Sequence, residues 1–122
     1  MTIVVGYSGK AEGLAALKAA VIEAGARNTR LIVVPTTAAD DLDVARAELA
    51  GLEHTFAPTP SETMTVGDRV LEEAEASSAS MIVIGLRRRS PSGKLILGAN
   101  AQKVLLDAPC PVLAVKAGDP IG

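Results

Sequence analysis

The segment "GLRRRSPSGKLILGA", Gly85 to Ala99, collects the residue types that hold a phosphate. Arg87, Arg88, Arg89 and Lys94 offer charge-assisted hydrogen bonds, and no acid interrupts them. Gly85 and Gly98 bound the segment, and glycine lets a backbone turn sharply or approach a ligand closely. If a helix starts near Gly98, the free amides of Gly98, Ala99 and Asn100 add to the attraction for an anion. A second stretch, "GYSGKAEG", follows the first apolar run and places Gly6, Tyr7, Ser8 and Gly9 together.

Neither stretch is a standard phosphate motif. Gly6, Gly9 and Gly13 do not have the dinucleotide spacing, and no acid ends the second strand. Gly9-Lys10 and Gly93-Lys94 are followed by Ala11 and Leu95, where a P-loop needs Ser or Thr to hold magnesium. Other reactive residues point away from catalysis. His54, the only histidine, has no Cys or His at ligand spacing, which favours a structural or surface role over a metal. Cys110, between Pro109 and Pro111, reads as a small buried residue without a base to activate it. Ser8 and Ser90 lack a neighbouring general base. Asp40, Asp41 and Asp43 fit the start of a helix better than a metal site. No enzyme and no metal centre are expected.

The elements that must position these residues alternate along the chain. "TIVVG" (residues 2–6), "RLIVVP" (30–35), "SMIVIG" (80–85) and "PVLAVK" (111–116) are continuous apolar runs that suit strands buried on both faces of a parallel sheet. "EHTFAP" (53–58) is shorter and more polar and belongs at an edge. Between them the spacing turns helical: Leu14, Leu17 and Val21; Leu42, Ala45 and Leu49; Met64, Gly67, Val70, Leu71 and Ala74. The third helix begins near Thr63 or Thr65, with Asp68 completing a capping box on Thr65. A fourth runs from about Gly98 to Asp107, with Val104 and Leu105 inward, and stops before Pro109. The order β-α-β-α-β-α-β-α-β predicts a single-domain, doubly wound α/β sandwich.

Composition agrees with one domain: 122 residues, 48% hydrophobic, is enough for a single core. No apolar run approaches the ~20 residues that span a bilayer, and the start "MTIVVGYSGK" has no signal-peptide pattern, so the expectation is a cytoplasmic protein without a membrane role. A net charge of −2 and 2% aromatic residues argue against nucleic acid, which needs phosphate neutralisation and stacking platforms. Charge is uneven, however. Ten of fourteen acids lie between Asp40 and Glu75, while Gly85 to Leu106 holds five basic residues and no acid, so one end of the molecule should be locally positive.

The stretch "SMIVIGLRRRSPSGKLILGANAQKVLLDAPCPVLAVK" resembles the C-terminal half of a universal stress protein, and "TIVVGYSGKAEGLAALKAA" resembles that family's opening strand and helix. The resemblance implies a Rossmann-like, adenine nucleotide alpha hydrolase-like domain over residues 1–116, with a tail at 117–122 and strand order 3-2-1-4-5. Nucleotide-binding members of the family carry G-x2-G-x9-G-[ST]. Here Gly85 and Gly98 fill the first and third places, Arg88 stands at the second, and Ala99 at the last. The Asp that commonly ends the family's first strand is matched by Ser8. The implied site for ATP or another adenine nucleotide, with Mg2+ if ATP is bound, comprises Gly6, Tyr7, Ser8, Gly9, Val34, Gly85, Arg87, Arg88, Arg89, Lys94, Gly98, Ala99 and Asn100. The family's last strand pairs with its symmetry mate, which implies a homodimer through Val112, Leu113, Ala114, Val115 and Lys116. Two functions stay open: a nucleotide-sensing protein with a weakened phosphate loop, and a nucleotide-free dimeric module that presents its basic loop to a protein partner.

Overall fold

In the computed structural model, which describes residues 1–36, 42–58, 63–86 and 97–117, each continuous apolar run forms a strand and each periodic stretch a helix. The elements are β1 (Thr2–Tyr7), α1 (Ala11–Arg27), β2 (Arg30–Pro35), α2 (Leu42–Glu48), β3 (His54–Phe56), α3 (Val66–Ser77), β4 (Met81–Leu86), α4 (Ala99–Asp107) and β5 (Val112–Lys116). The strands form one sheet in the order β3-β2-β1-β4-β5, with every pair parallel. This is the expected Rossmann-like α/β sandwich, with "EHTFAP" at an edge as its polarity predicts. Asp40 and Asp41 lie outside the described residues.

Strand alternation divides the core in two. Ile3, Val5, Tyr7, Leu31, Val33 and Val83 face α1 and α2. Val4, Ile32, Val34, Ile82 and Ile84 face α3 and α4. Residues of β1 and β2 are almost wholly buried, as two-sided coverage requires. β5 departs from the sequence expectation: it is only half-buried, because as an edge strand it has one neighbour.

Two helices also differ from their leucine patterns. The buried face of α1 is Gly13, Ala16, Leu17, Ala20 and Ala24, with Leu14 and Val21 only partly covered; small side chains let this helix lie close across the sheet. Along α4, Val104 is buried, but Leu105 is 40% exposed and Leu106 82%, since a nine-residue helix at the end of the sheet turns one narrow face inward. α2 buries Leu42 and Ala45 as expected, with Leu49 just beyond it.

Glycine sets how α1 meets the sheet. A Cβ on Gly13 would stand 2.3 Å from the main-chain nitrogen and oxygen of Ser8, and one on Gly85 would stand 2.0 Å from the Glu12 carbonyl oxygen. The first turn of α1 therefore rests directly on the ends of β1 and β4. Gly85→Ala forces backbone against backbone and should cost about 3 kcal/mol by overpacking. At Gly98 φ is −73° and nothing would meet an added Cβ, so Gly98→Ala should cost about 1 kcal/mol or less as a poorer cap. Urea unfolding of the two variants checks the contrast, and equal costs would refute it.

α3 starts at Thr65, whose hydroxyl accepts from the Asp68 amide at 3.1 Å while the Asp68 carboxylate accepts from the Thr65 amide at 3.3 Å. Asp68 also meets Lys103 of α4 at 3.0 Å. The Lys103 ammonium, then the Thr65 contacts, hold the Asp68 carboxyl below its ordinary value of 3.8, and Asp68 raises Lys103 above 10.5. The lowered acid stabilises the fold above pH 3.8 and loses that effect as pH falls through its folded value; the raised base stabilises below 10.5 and loses it as pH rises through its own. Lys103→Met should therefore lower the melting temperature slightly, the pair being in solvent, between those limits. The difference should vanish in strong acid; a gap unchanged at pH 2 would assign it to packing.

Candidate functional site

In a doubly wound sheet a cleft opens beyond the carboxyl ends of the strands, where neighbouring connections leave to opposite faces. β1 leads into α1 on one face and β4 leads towards α4 on the other, and between their ends lies a cleft of about 380 Å³. Gly6, Tyr7 and Ser8 close it at the end of β1, and Lys10, Glu12 and Gly13 at the start of α1. Thr36 borders it after β2, and Ile84 and Gly85 do so from β4. The opposite wall consists of Val66, Gly67 and Val70 of α3 with Asn100, Ala101 and Val104 of α4.

Three helices start at this cleft. α3 is capped by its Thr65–Asp68 box, whereas α1 and α4 begin at Lys10 and Gly98 without a side-chain cap. Their first turns thus bring the positive ends of two helix dipoles towards the cleft. The α3 and α4 starts are joined as well: the Gly67 amide donates to Asn100 Oδ1 at 3.0 Å, and a Cβ on Gly67 would sit 3.1 Å from that oxygen.

Of the residues expected from the sequence, Gly6, Tyr7, Ser8, Gly85 and Asn100 line the cleft. Tyr7 is 2% exposed and its ring packs in the core under α1 and α2, so it offers the cleft main chain and no stacking face. Gly9 is exposed beside it, and Gly98 and Ala99 are exposed at the start of α4, but none of the three forms its lining. Val34 pairs with Gly6 and is wholly buried in the core under α3 and α4. Thr36 takes the bordering position instead, its amide donating to the Tyr7 carbonyl at 2.9 Å. Arg87, Arg88, Arg89 and Lys94 lie outside the described residues. Sequence reasoning missed Lys10, Glu12, Thr36 and the α3 wall. The available signal was Gly67, a glycine within a helical apolar stripe.

The reactive residues outside the cleft have structural settings. His54 Nδ1 lies 2.7 Å from the Leu52 carbonyl, and its ring meets Phe56 edge to face at 5.6 Å. Arg46 covers the same Phe56 ring at 5.3 Å. Cys110 packs partly buried against the α3–α4 core, and burial pushes its thiol above the ordinary value, which disfavours the nucleophilic thiolate. Among the described residues no three His, Cys, Asp or Glu side chains could hold a metal, and no helix is long and apolar enough to cross a membrane.

Comparison with known proteins accounts for this arrangement. Residues 37–116 match the universal stress protein family. A universal stress protein of Mycolicibacterium smegmatis is 40% identical over 125 residues, covering 93% of this chain and 96% of its own. The structure of a universal stress protein from Archaeoglobus fulgidus superposes with a TM-score of 0.73 at 30% identity, covering 95% of this chain and 98% of its own. A structure of the Archaeoglobus fulgidus universal stress protein in complex with dAMP gives 0.72 at 26% identity over the same shares. With its five-stranded parallel sheet and its cleft at the switch point, the chain belongs to the universal stress protein family.

Proposed function

We propose that the chain is a binding protein for an adenine nucleotide, seated in the cleft between the ends of β1 and β4. The observation that carries this reading is the meeting of two uncapped helix starts, α1 and α4, at one open cleft of ligand size; binding pockets run from about 300 to 1,000 Å³. The dAMP complex of the 26%-identical relative supports the ligand class. The nucleoside belongs towards Gly6, Ser8, Gly9 and Thr36. The phosphates belong towards the amides of Gly98, Ala99 and Asn100, with the basic sequence Arg87, Arg88, Arg89 and Lys94 as a further source of positive charge. Ala99 lacks a phosphate-binding hydroxyl, and magnesium enters only with a di- or triphosphate. The role is sensing; His54 and Cys110 lie outside the cleft lining. Thermal-shift titration with AMP, ADP and ATP, with and without magnesium at two salt concentrations, tests the proposal. A saturable, salt-sensitive rise is expected, reaching about 2.7 kcal/mol of stabilisation at a hundredfold excess over Kd. No shift at millimolar nucleotide would favour the nucleotide-free module.

The second part of the proposal is a two-fold dimer through β5. The Ile82 amide donates to the Pro111 carbonyl at 3.0 Å and the Ala117 amide to the Leu86 carbonyl at 3.3 Å. By ladder alternation, Val112, Ala114 and Lys116 turn their main-chain groups to the free edge, which a second strand can complete. Leu113 and Val115 pack against the α1 core, so charging them would damage the fold itself. Ala114 is exposed, and Ala114→Glu should leave the monomer folded while setting like charges near each other across the two-fold. Sedimentation should then show monomer; an undiminished dimer would exclude this interface.

A further inference from the structure

The first turn of α4 faces the cleft, yet most of its side chains cannot reach a ligand as donors. Ala99 and Ala101 carry no polar group. The Gln102 amide donates to the Leu97 carbonyl at 3.1 Å, Lys103 is engaged by Asp68 at 3.0 Å, and neither residue lines the cleft. Asn100 remains. Its Oδ1 accepts from the Gly67 amide at 3.0 Å, which settles which end of the side-chain amide is oxygen. The NH2 group at the other end has two hydrogens to give, and the residue is exposed and lines the cleft.

We infer that Asn100 is a two-ended contact, its oxygen holding the start of α3 and its NH2 donating to the phosphate of the bound nucleotide, in place of the hydroxyl that Ala99 does not supply. This deepens the adenine-nucleotide reading and rests on it. Two features favour the role. Accepting from Gly67 polarises the Asn100 amide, so its NH2 becomes a stronger donor. The position, second in a nine-residue helix with no side-chain cap, places that NH2 where the helix dipole already attracts negative charge. The same link makes α3 sense occupancy: a phosphate drawing on the NH2 strengthens the oxygen's hold on Gly67. A bare nucleoside, having no phosphate, leaves it unchanged.

The test uses the full chain with AMP and adenosine as probes, which differ only in the phosphate. In the wild-type protein, AMP should shift the nuclear magnetic resonances of the Asn100 NH2 pair and of the Gly67 amide, and adenosine should leave both in place. Asn100→Asp keeps an acceptor for Gly67 but loses both donors. It should retain the melting temperature and the adenosine affinity while weakening AMP at least about tenfold, through the lost charge-assisted bond together with repulsion between the new carboxylate and the phosphate; the wild-type NH2 resonances separate the two causes. Asn100→Ala orphans the Gly67 amide and should lower the melting temperature. AMP that binds without moving the NH2 pair, or binds Asn100→Asp as tightly as wild type, overturns the assignment of Asn100 and leaves the nucleotide reading in place. A wild-type protein that binds neither probe overturns the nucleotide reading and this inference with it.

Discussion

The first turn of α1 lies at backbone contact with the ends of β1 and β4, and the cleft takes its shape from that contact. Gly13 sits against the Ser8 main chain and Gly85 against the Glu12 carbonyl, with no room for a side chain at either position. Dispersion and burial reward so close an approach only where both surfaces are smooth. The small residues Ala16, Ala20 and Ala24 continue the smooth face down the helix. A bulkier α1 would stand off the sheet, and Lys10, Glu12 and Gly13 would no longer meet Gly6 and Ser8 around one opening.

The opposite wall is held differently. Here α3 and α4 are joined at their starts by polar contacts: the Gly67–Asn100 hydrogen bond and the Asp68–Lys103 ion pair. One wall is steric and the other electrostatic. The glycine seating of α1 is insensitive to salt and pH, whereas the polar contacts between α3 and α4 respond to both.

Much of this was legible in the amino-acid order because strands buried on both faces must be continuously apolar, and "TIVVG", "RLIVVP" and "SMIVIG" are short, rich in β-branched residues and end in glycine or proline. The Thr65–Asp68 capping box was legible for a similar reason: its chemistry is local. Contacts between distant segments were not. Gly85 reads as one end of a phosphate loop, yet its bare Cα is also required by Glu12, seventy-three positions earlier. The buried face of α1 was misread because leucines outweigh alanines in a hydrophobic pattern, although the close seating selects alanine. Leu105 looked inward because periodicity locates an apolar stripe without showing how much of it the sheet covers. Gly67 reads only as one member of an apolar stripe, because its partner Asn100 belongs to another helix.

The sheet order also bears on how the molecule assembles. β1 and β2 are joined by a single helix, but Ile3 finds its other neighbour only at Met81, so the β1–β4 pairing closes a far longer loop of chain and is entropically the slower event. The cleft opens between those two strands. A half-assembled chain with β1, α1 and β2 in place would lack the β4, α3 and α4 sides of the cleft. The cleft thus exists only in molecules that have completed their most distant pairing, which makes it a marker of that pairing.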